Sequence, residues 1–141
     1  MKKVFLDTNI LLDFFAARPP FNIEAAKIFN LTYSKTILSY VSTLSYANSF
    51  YYLKKIIGRR TSIEVLADMK KIVSTINLDE NILEQALNSD FSDFEDALQY
   101  YSAKSIPEIE VIITRNIKDF SKSKLPVYTP AQFINKYFSK S

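Results

Sequence analysis

The chain contains no histidine and no cysteine. Without histidine there is no Ser-His-Asp triad, no imidazole general base and no His-ligated zinc. Without cysteine there is no thiolate nucleophile, no thiolate zinc site and no disulfide, so folding needs no oxidising compartment. Glycine occurs once, at Gly58. A Walker-type phosphate loop or a G-x-G-x-x-G turn needs several glycines, which excludes nucleotide binding by either route. No apolar run is long enough to span a bilayer, and no N-terminal stretch reads as a signal peptide. The expectation is a cytoplasmic protein without a membrane partner.

The length of 141 residues suits one domain. Hydrophobic residues make up 48% of the chain, enough for a sizeable core. The net charge is +3, and the basic residues are scattered rather than gathered in a patch. Charge alone therefore points only weakly to an anionic partner.

Short apolar runs alternate with helical patterns. Strands are expected at Lys3–Leu6, Thr36–Ser39, Ser74–Asn77, Glu110–Thr114 and Pro126–Tyr128. Helices are expected over 8–17, from a cap at Asn22 to Tyr33, over 43–57 with Gly58 closing the end, and from a capping box at Thr61 to Val73. Further helices follow over 80–88, from a capping box at Ser92 to Ser105, and from Thr129 with Pro130 at the first helical position. Strands alternating with helices imply right-handed crossovers and a parallel sheet covered on both faces. The carboxyl ends of all its strands then share one edge.

Acidic residues collect at that edge. Asp7 follows the first strand directly. Asp93, Glu95 and Asp96 open a later helix, and Asp119 lies in the turn after Thr114. Asp96 is the best ligand of its group, since it precedes the apolar face Ala97-Leu98. Asp93 and Glu95 also have an ordinary reading, as first-turn acids that favour the helix dipole. Asp7 could simply cap the next helix, Asp13 reads as a solvated helical residue, and Asn116 as an Asx turn. Crowded carboxylates repel one another, and a bound cation relieves that penalty. All-oxygen ligands suit Mg²⁺ or Mn²⁺, which can activate a water and stabilise charge on a phosphodiester without an amino-acid base. Arg115, beside these acids, is a candidate phosphate contact. Tyr46, Tyr51 and Tyr52 read either as helix packing or as part of a protein interface.

Three strings resemble the PIN-domain nucleases. They are Val4-Phe5-Leu6-Asp7-Thr8-Asn9-Ile10-Leu11, Asp93-Phe94-Glu95-Asp96-Ala97-Leu98-Gln99 and Ile113-Thr114-Arg115-Asn116-Ile117-Lys118-Asp119-Phe120. Their order and spacing run along nearly the whole chain and look most like the bacterial toxins of the virulence-associated toxin C (VapC) type. The resemblance implies a three-layer α/β/α fold with a five-stranded parallel sheet. It implies metal-dependent cleavage of single-stranded RNA, a frequent homodimer and, in the toxin branch, an antitoxin partner. On the family pattern Asp7, Asp96 and Asp119 are catalytic and metal-binding. Thr8 or Asn9 would orient Asp7, and Asn116 would support the last acid.

One position departs from the pattern. The family usually carries a glutamate in the helix after the second strand, and here Asn48 falls at that place. Asparagine offers an oxygen but no charge. Either Glu95 or Asp93 supplies the missing charge, or the chain is a degenerate member that binds RNA or a protein without cutting. Aspartyl-phosphate chemistry of the haloacid-dehalogenase type is disfavoured, because its second Asp, two residues after the first, is replaced by Asn9.

Overall fold

A computed structural model describes residues 1–138. Its strands are β1 (Lys2–Leu6), β2 (Ile37–Ser42), β3 (Ser74–Ile76), β4 (Val111–Ile113) and β5 (Val127–Tyr128). Its helices are α1 (Thr8–Phe15), α2 (Asn22–Tyr33), α3 (Thr43–Ile72), α4 (Glu80–Leu87), α5 (Phe94–Lys104) and α6 (Pro130–Tyr137). A single 3-10 turn, Ile117–Phe120, follows β4. The five strands form one sheet in the order β3-β2-β1-β4-β5, and every pairing is parallel. This is the expected three-layer α/β/α arrangement.

Period-two alternation assigns the two core faces. Val4, Leu6, Val111 and Ile113 point to one side, where they meet Ile10, Leu11, Ile28, Leu53 and Phe133. Phe5 and Ile112 point to the other, against Ile82, Tyr100, Ala103 and Phe120. Central strands buried on both faces read as continuous apolar runs.

Several helix ends differ from expectation. Asn22 does not cap α2; Phe21 holds that place without a side-chain bond. Asp93, not Ser92, caps α5, its carboxylate accepting the Asp96 N–H at 3.0 Å. Both residue types suit a cap, so the one-residue shift was invisible to composition. The second helical stretch of α3 exists as expected but opens directly after Gly58 rather than at Thr61. Gly58 sits at φ 78°, ψ 171°, a conformation open essentially to glycine alone. It ends the first helix and divides α3 into two helices joined at a kink, as expected, and Ser62 Oγ donates to its carbonyl at 2.6 Å. The box at Thr129 and Gln132 forms as expected.

The chain order reverses on either side of β1, which lies between β2 and β4. At such a switch point the connections leave β1 and β4 in opposite directions and open a crevice at their carboxyl ends. Asp7 and Thr114 stand at the two lips of that crevice.

Candidate active site

Asp7 is fixed by three bonds. Its backbone N–H donates to the Ile113 carbonyl at 3.0 Å, tying the end of β1 to β4. Its carboxylate accepts from the Thr8 N–H and from Thr114 Oγ1, both at 2.8 Å. The residue therefore does cap α1, but its second oxygen reaches across the switch point. Thr114, which the sequence reading did not assign to the site, is wholly buried and aims the acid. Its place at the end of the clearest strand was the available signal.

A cavity of about 390 Å³ opens above the crevice. Asp7, Asp93, Glu95, Asp96 and Asp119 all line it, together with Asn48, Asn116, Arg18 and Arg115. Three separate stretches of chain thus deliver carboxylates to one space. Asp119 arrives on the 3-10 turn, which is anchored by the buried ring of Phe120. The Asn116 side chain forms no cap for that turn, so the expected Asx turn is absent.

Electrostatics follow from the crowding. Burial pushes the Asp7 carboxyl up to about 6, against the hydrogen bonds from Thr114 and Thr8, while Asp119 and Glu95 add repulsion. Burial also raises Asp96, to about 7, and the charges of Asp93, Asp7, Asp119 and Glu95 push the same way. A cation would reverse both effects. Among the described residues, however, no three of these carboxylates are gathered tightly enough to grip a single ion as they stand. The donor set still fits Mg²⁺ or Mn²⁺, since Mg²⁺ commonly keeps several waters and takes one or two carboxylates plus substrate phosphate.

Asn48 occupies the expected place on α3 and turns its amide to α5. Its Nδ2 donates to Glu95 Oε1 at 2.5 Å. Beneath the cavity lies a buried polar knot. Gln99 Oε1 accepts from Ser42 Oγ at 2.7 Å, and its Nε2 donates to Thr8 Oγ1 and Ser45 Oγ, both at 2.9 Å. Thr8 and Ser45 hydroxyls close the ring at 2.8 Å. Thr8 therefore serves Asp7 through its backbone, while its side chain locks α1 to α3 and α5. Gln99 and the two serines were not assigned from sequence, although Gln99 sits three positions after Asp96, on the same helix face.

Asp13 is not solvated. It is 1% exposed and accepts from Arg18 Nε at 2.9 Å, Arg115 Nη2 at 2.7 Å and Arg115 Nε at 3.1 Å. A helical acid next to Phe14-Phe15 looked peripheral, because its partners lie in other segments. The Asn9 side chain is not among the hydrogen-bond partners of the Asp7 carboxylate; its Oδ1 accepts the Arg115 backbone N–H at 3.3 Å. Of the tyrosines, Tyr51 is 68% exposed, Tyr46 bonds Thr75 and Tyr52 lies under Arg18.

The family model described as "PIN domain" matches residues 3–118. Three solved structures are similar. DNA-bound VapBC from Salmonella typhimurium superposes with a TM-score of 0.68 at 16% identity, over 92% of this chain and 99% of that one. A toxin–antitoxin complex from Klebsiella pneumoniae gives 0.66 at 25% identity, over 90% and 97%. Mycobacterium tuberculosis VapC20, a Sarcin-Ricin loop cleaving toxin, gives 0.62 at 19% identity, over 77% and 86%. No curated protein matches the sequence.

Proposed function

The chain belongs to the PIN-domain family, and on that premise we propose that it is a divalent-metal-dependent endoribonuclease acting on single-stranded RNA. We read it as the toxin half of a toxin–antitoxin pair. The observation that carries the activity is the convergence of Asp7, Asp96 and Asp119, from three stretches of chain, on one cavity at the sheet's switch point. The VapBC complexes among its structural neighbours support an antitoxin partner and the RNA-cleaving neighbour supports the substrate class. Among the described residues no helix is long and apolar enough to cross a membrane.

Asp7, Asp96 and Asp119 are the residues that would hold the cation, with Glu95 beside them and Asp93 next to Asp96. A bound Mg²⁺ or Mn²⁺ supplies an activated water and charge neutralisation at the phosphate. The protein's own part is positional. Thr114 and the Thr8 N–H hold the Asp7 carboxylate in one orientation, and the Gln99 knot holds Thr8. Asp93 spends one oxygen on the Asp96 N–H, which fixes the start of α5 and so the place of Asp96. Asn48 provides no charge, but its amide anchors Glu95 in the same cavity, so a neighbouring acid stands in for the usual glutamate.

A second reading, an RNA- or protein-binding domain without cleavage, is favoured by one observation: Asn48 at the glutamate position. The experiment that separates them is cleavage of single-stranded RNA by purified protein in Mn²⁺, Mg²⁺ or EDTA, beside Asp96→Asn. Metal-dependent cutting that vanishes in the variant supports the nuclease. Well-folded protein that cuts in neither metal supports the binding reading.

A further inference from the structure

The carboxylate cavity has a positive wall whose charge exceeds what its neighbour needs. Asp13 is buried, and both of its oxygens are engaged by guanidinium groups. One arginine would already neutralise it. Two leave a net positive charge, and both Arg18 and Arg115 line the same cavity as Asp7 and Asp96.

Both side chains are partly exposed, 25% for Arg18 and 28% for Arg115. Each guanidinium has five N–H donors. Arg115 spends two on Asp13; Arg18 spends one there and one on the Asn9 carbonyl at 3.4 Å. Donors therefore remain on each. Their planes are also set in advance. Arg115 lies 3.9 Å from the centroid of Phe21, and Arg18 4.9 Å from that of Tyr52. A stacked, pre-oriented guanidinium loses little entropy on meeting an oxyanion, and its fork matches a phosphate. No lysine lines this cavity, so these are its only cationic side chains among the described residues.

We infer that Asp13 clamps Arg18 and Arg115 into a paired guanidinium site for a backbone phosphate of the RNA, adjacent to the phosphate that faces the carboxylates. The inference rests on the ribonucleolytic reading and deepens it. A polyanion approaching five carboxylates is repelled, and the clamp gives one stretch of its backbone a place to settle. Asp13 is a positioning residue; the arginines make the contact.

The test is fluorescence anisotropy with a labelled, cleavage-resistant phosphorothioate single-stranded oligoribonucleotide in Mg²⁺, across a salt series. Arg18→Ala leaves Asp13 paired to Arg115, and Arg115→Lys keeps a charge against Asp13 while removing the fork; melting temperatures report that both fold. Each is expected to bind about tenfold more weakly. Arg18→Ala is also expected to lower the slope of log affinity against log salt by about 0.7, the loss of one phosphate contact to a single strand, whereas Arg115→Lys keeps its charge and should leave the slope near wild type. Lys27→Ala, on the exposed face of α2, is expected to change neither. Wild-type affinity in both arginine variants, with a wild-type slope in Arg18→Ala, would overturn the site, leaving Asp13 with a purely structural pair. A wild-type protein that does not hold the oligonucleotide would overturn it as well. The two readings separate cleanly. Cutting by wild type with unaltered binding by the variants keeps the nuclease and removes the clamp. Arginine-dependent binding without cutting keeps the clamp and removes the nuclease.

Discussion

Asn48 donates its side-chain N–H to Glu95, joining α3 to α5 across 47 positions of sequence. The residue that brings no charge on α3 is hydrogen-bonded to an acid on α5 that lines the same cavity. A carboxylate on α5 can face the cavity that α3 would otherwise supply, because both helices start at the same sheet edge. A swap tests this. Glu95→Gln alone is expected to slow metal-dependent cleavage by about 100-fold, in the range seen when a ligand's support is lost. Asn48→Glu together with Glu95→Gln should recover most of that loss, since it exchanges donor and acceptor across the same contact. Equal rates in single and double variants would show that Glu95 takes no part.

The raised carboxylates make stability depend on pH with a definite sign. Asp7 moves from 3.8 to about 6 and Asp96 from 3.8 to about 7 on folding. Between about pH 4 and 7 the native state therefore binds more protons than the unfolded chain, so stability falls as pH rises. Through these two groups, metal-free protein is expected to melt at a higher temperature at pH 5 than at pH 8. Asp7→Asn should remove much of its share. The shift is worth at most about 3 kcal/mol, less about 1 kcal/mol for a disturbed hydrogen bond to Thr114 or Thr8. Thermal melts of wild type and Asp7→Asn in EDTA at both pH values would show it. A variant no more stable than wild type at pH 8 would contradict the assigned burial cost.

Cation binding should act in the opposite direction. At pH 8 the carboxylates are ionised, and Mg²⁺ or Mn²⁺ at a hundredfold excess over its Kd is expected to add about 2.7 kcal/mol of stability. The gain should shrink toward pH 5, where protons compete. It should also be small in Asp96→Asn. A metal-induced rise in melting temperature that is equal at both pH values, or intact in Asp96→Asn, would place the ion elsewhere.

Gln99 holds Ser42, Ser45 and Thr8 through both ends of its amide. Gln99→Ala leaves those buried hydroxyls short of partners and opens a void, at an expected cost of about 2–4 kcal/mol in urea unfolding. Cleavage should fall further than the lost fraction of folded protein explains, because Thr8 also presents its N–H to Asp7. A cost under 1 kcal/mol would mean that the hydroxyls re-pair among themselves.

Asp13→Ala exposes the opposite problem, since Arg18 and Arg115 would face each other without the acid between them. Breaking a buried pair from one side costs about 3–5 kcal/mol. Denaturant unfolding should register that loss. An unaffected midpoint would show that the two side chains simply move into solvent.

Element order, the parallel sheet covered on both faces, and the arrival of Asp7 and Asp119 at one edge were legible in the amino-acid pattern. These follow from apolar periodicity and from the rule that crossovers in a parallel sheet bring all strand ends to one side. Such signals act over a few residues, or through a topology with few alternatives. Tertiary structure alone decided which polar group meets which. Thr114 reaches Asp7 across 107 positions, and Arg115 reaches Asp13 across 102. Neither pairing has a local signature, because threonine, arginine and aspartate are equally at home in solvent. Only the packing of α1 against the sheet and its neighbouring helices buries Asp13 and most of Asp7, and burial then obliges each to find a partner in the chain. The same packing turned a solvated-looking Asp13 into a buried anchor and a charge-free Asn48 into the support of Glu95.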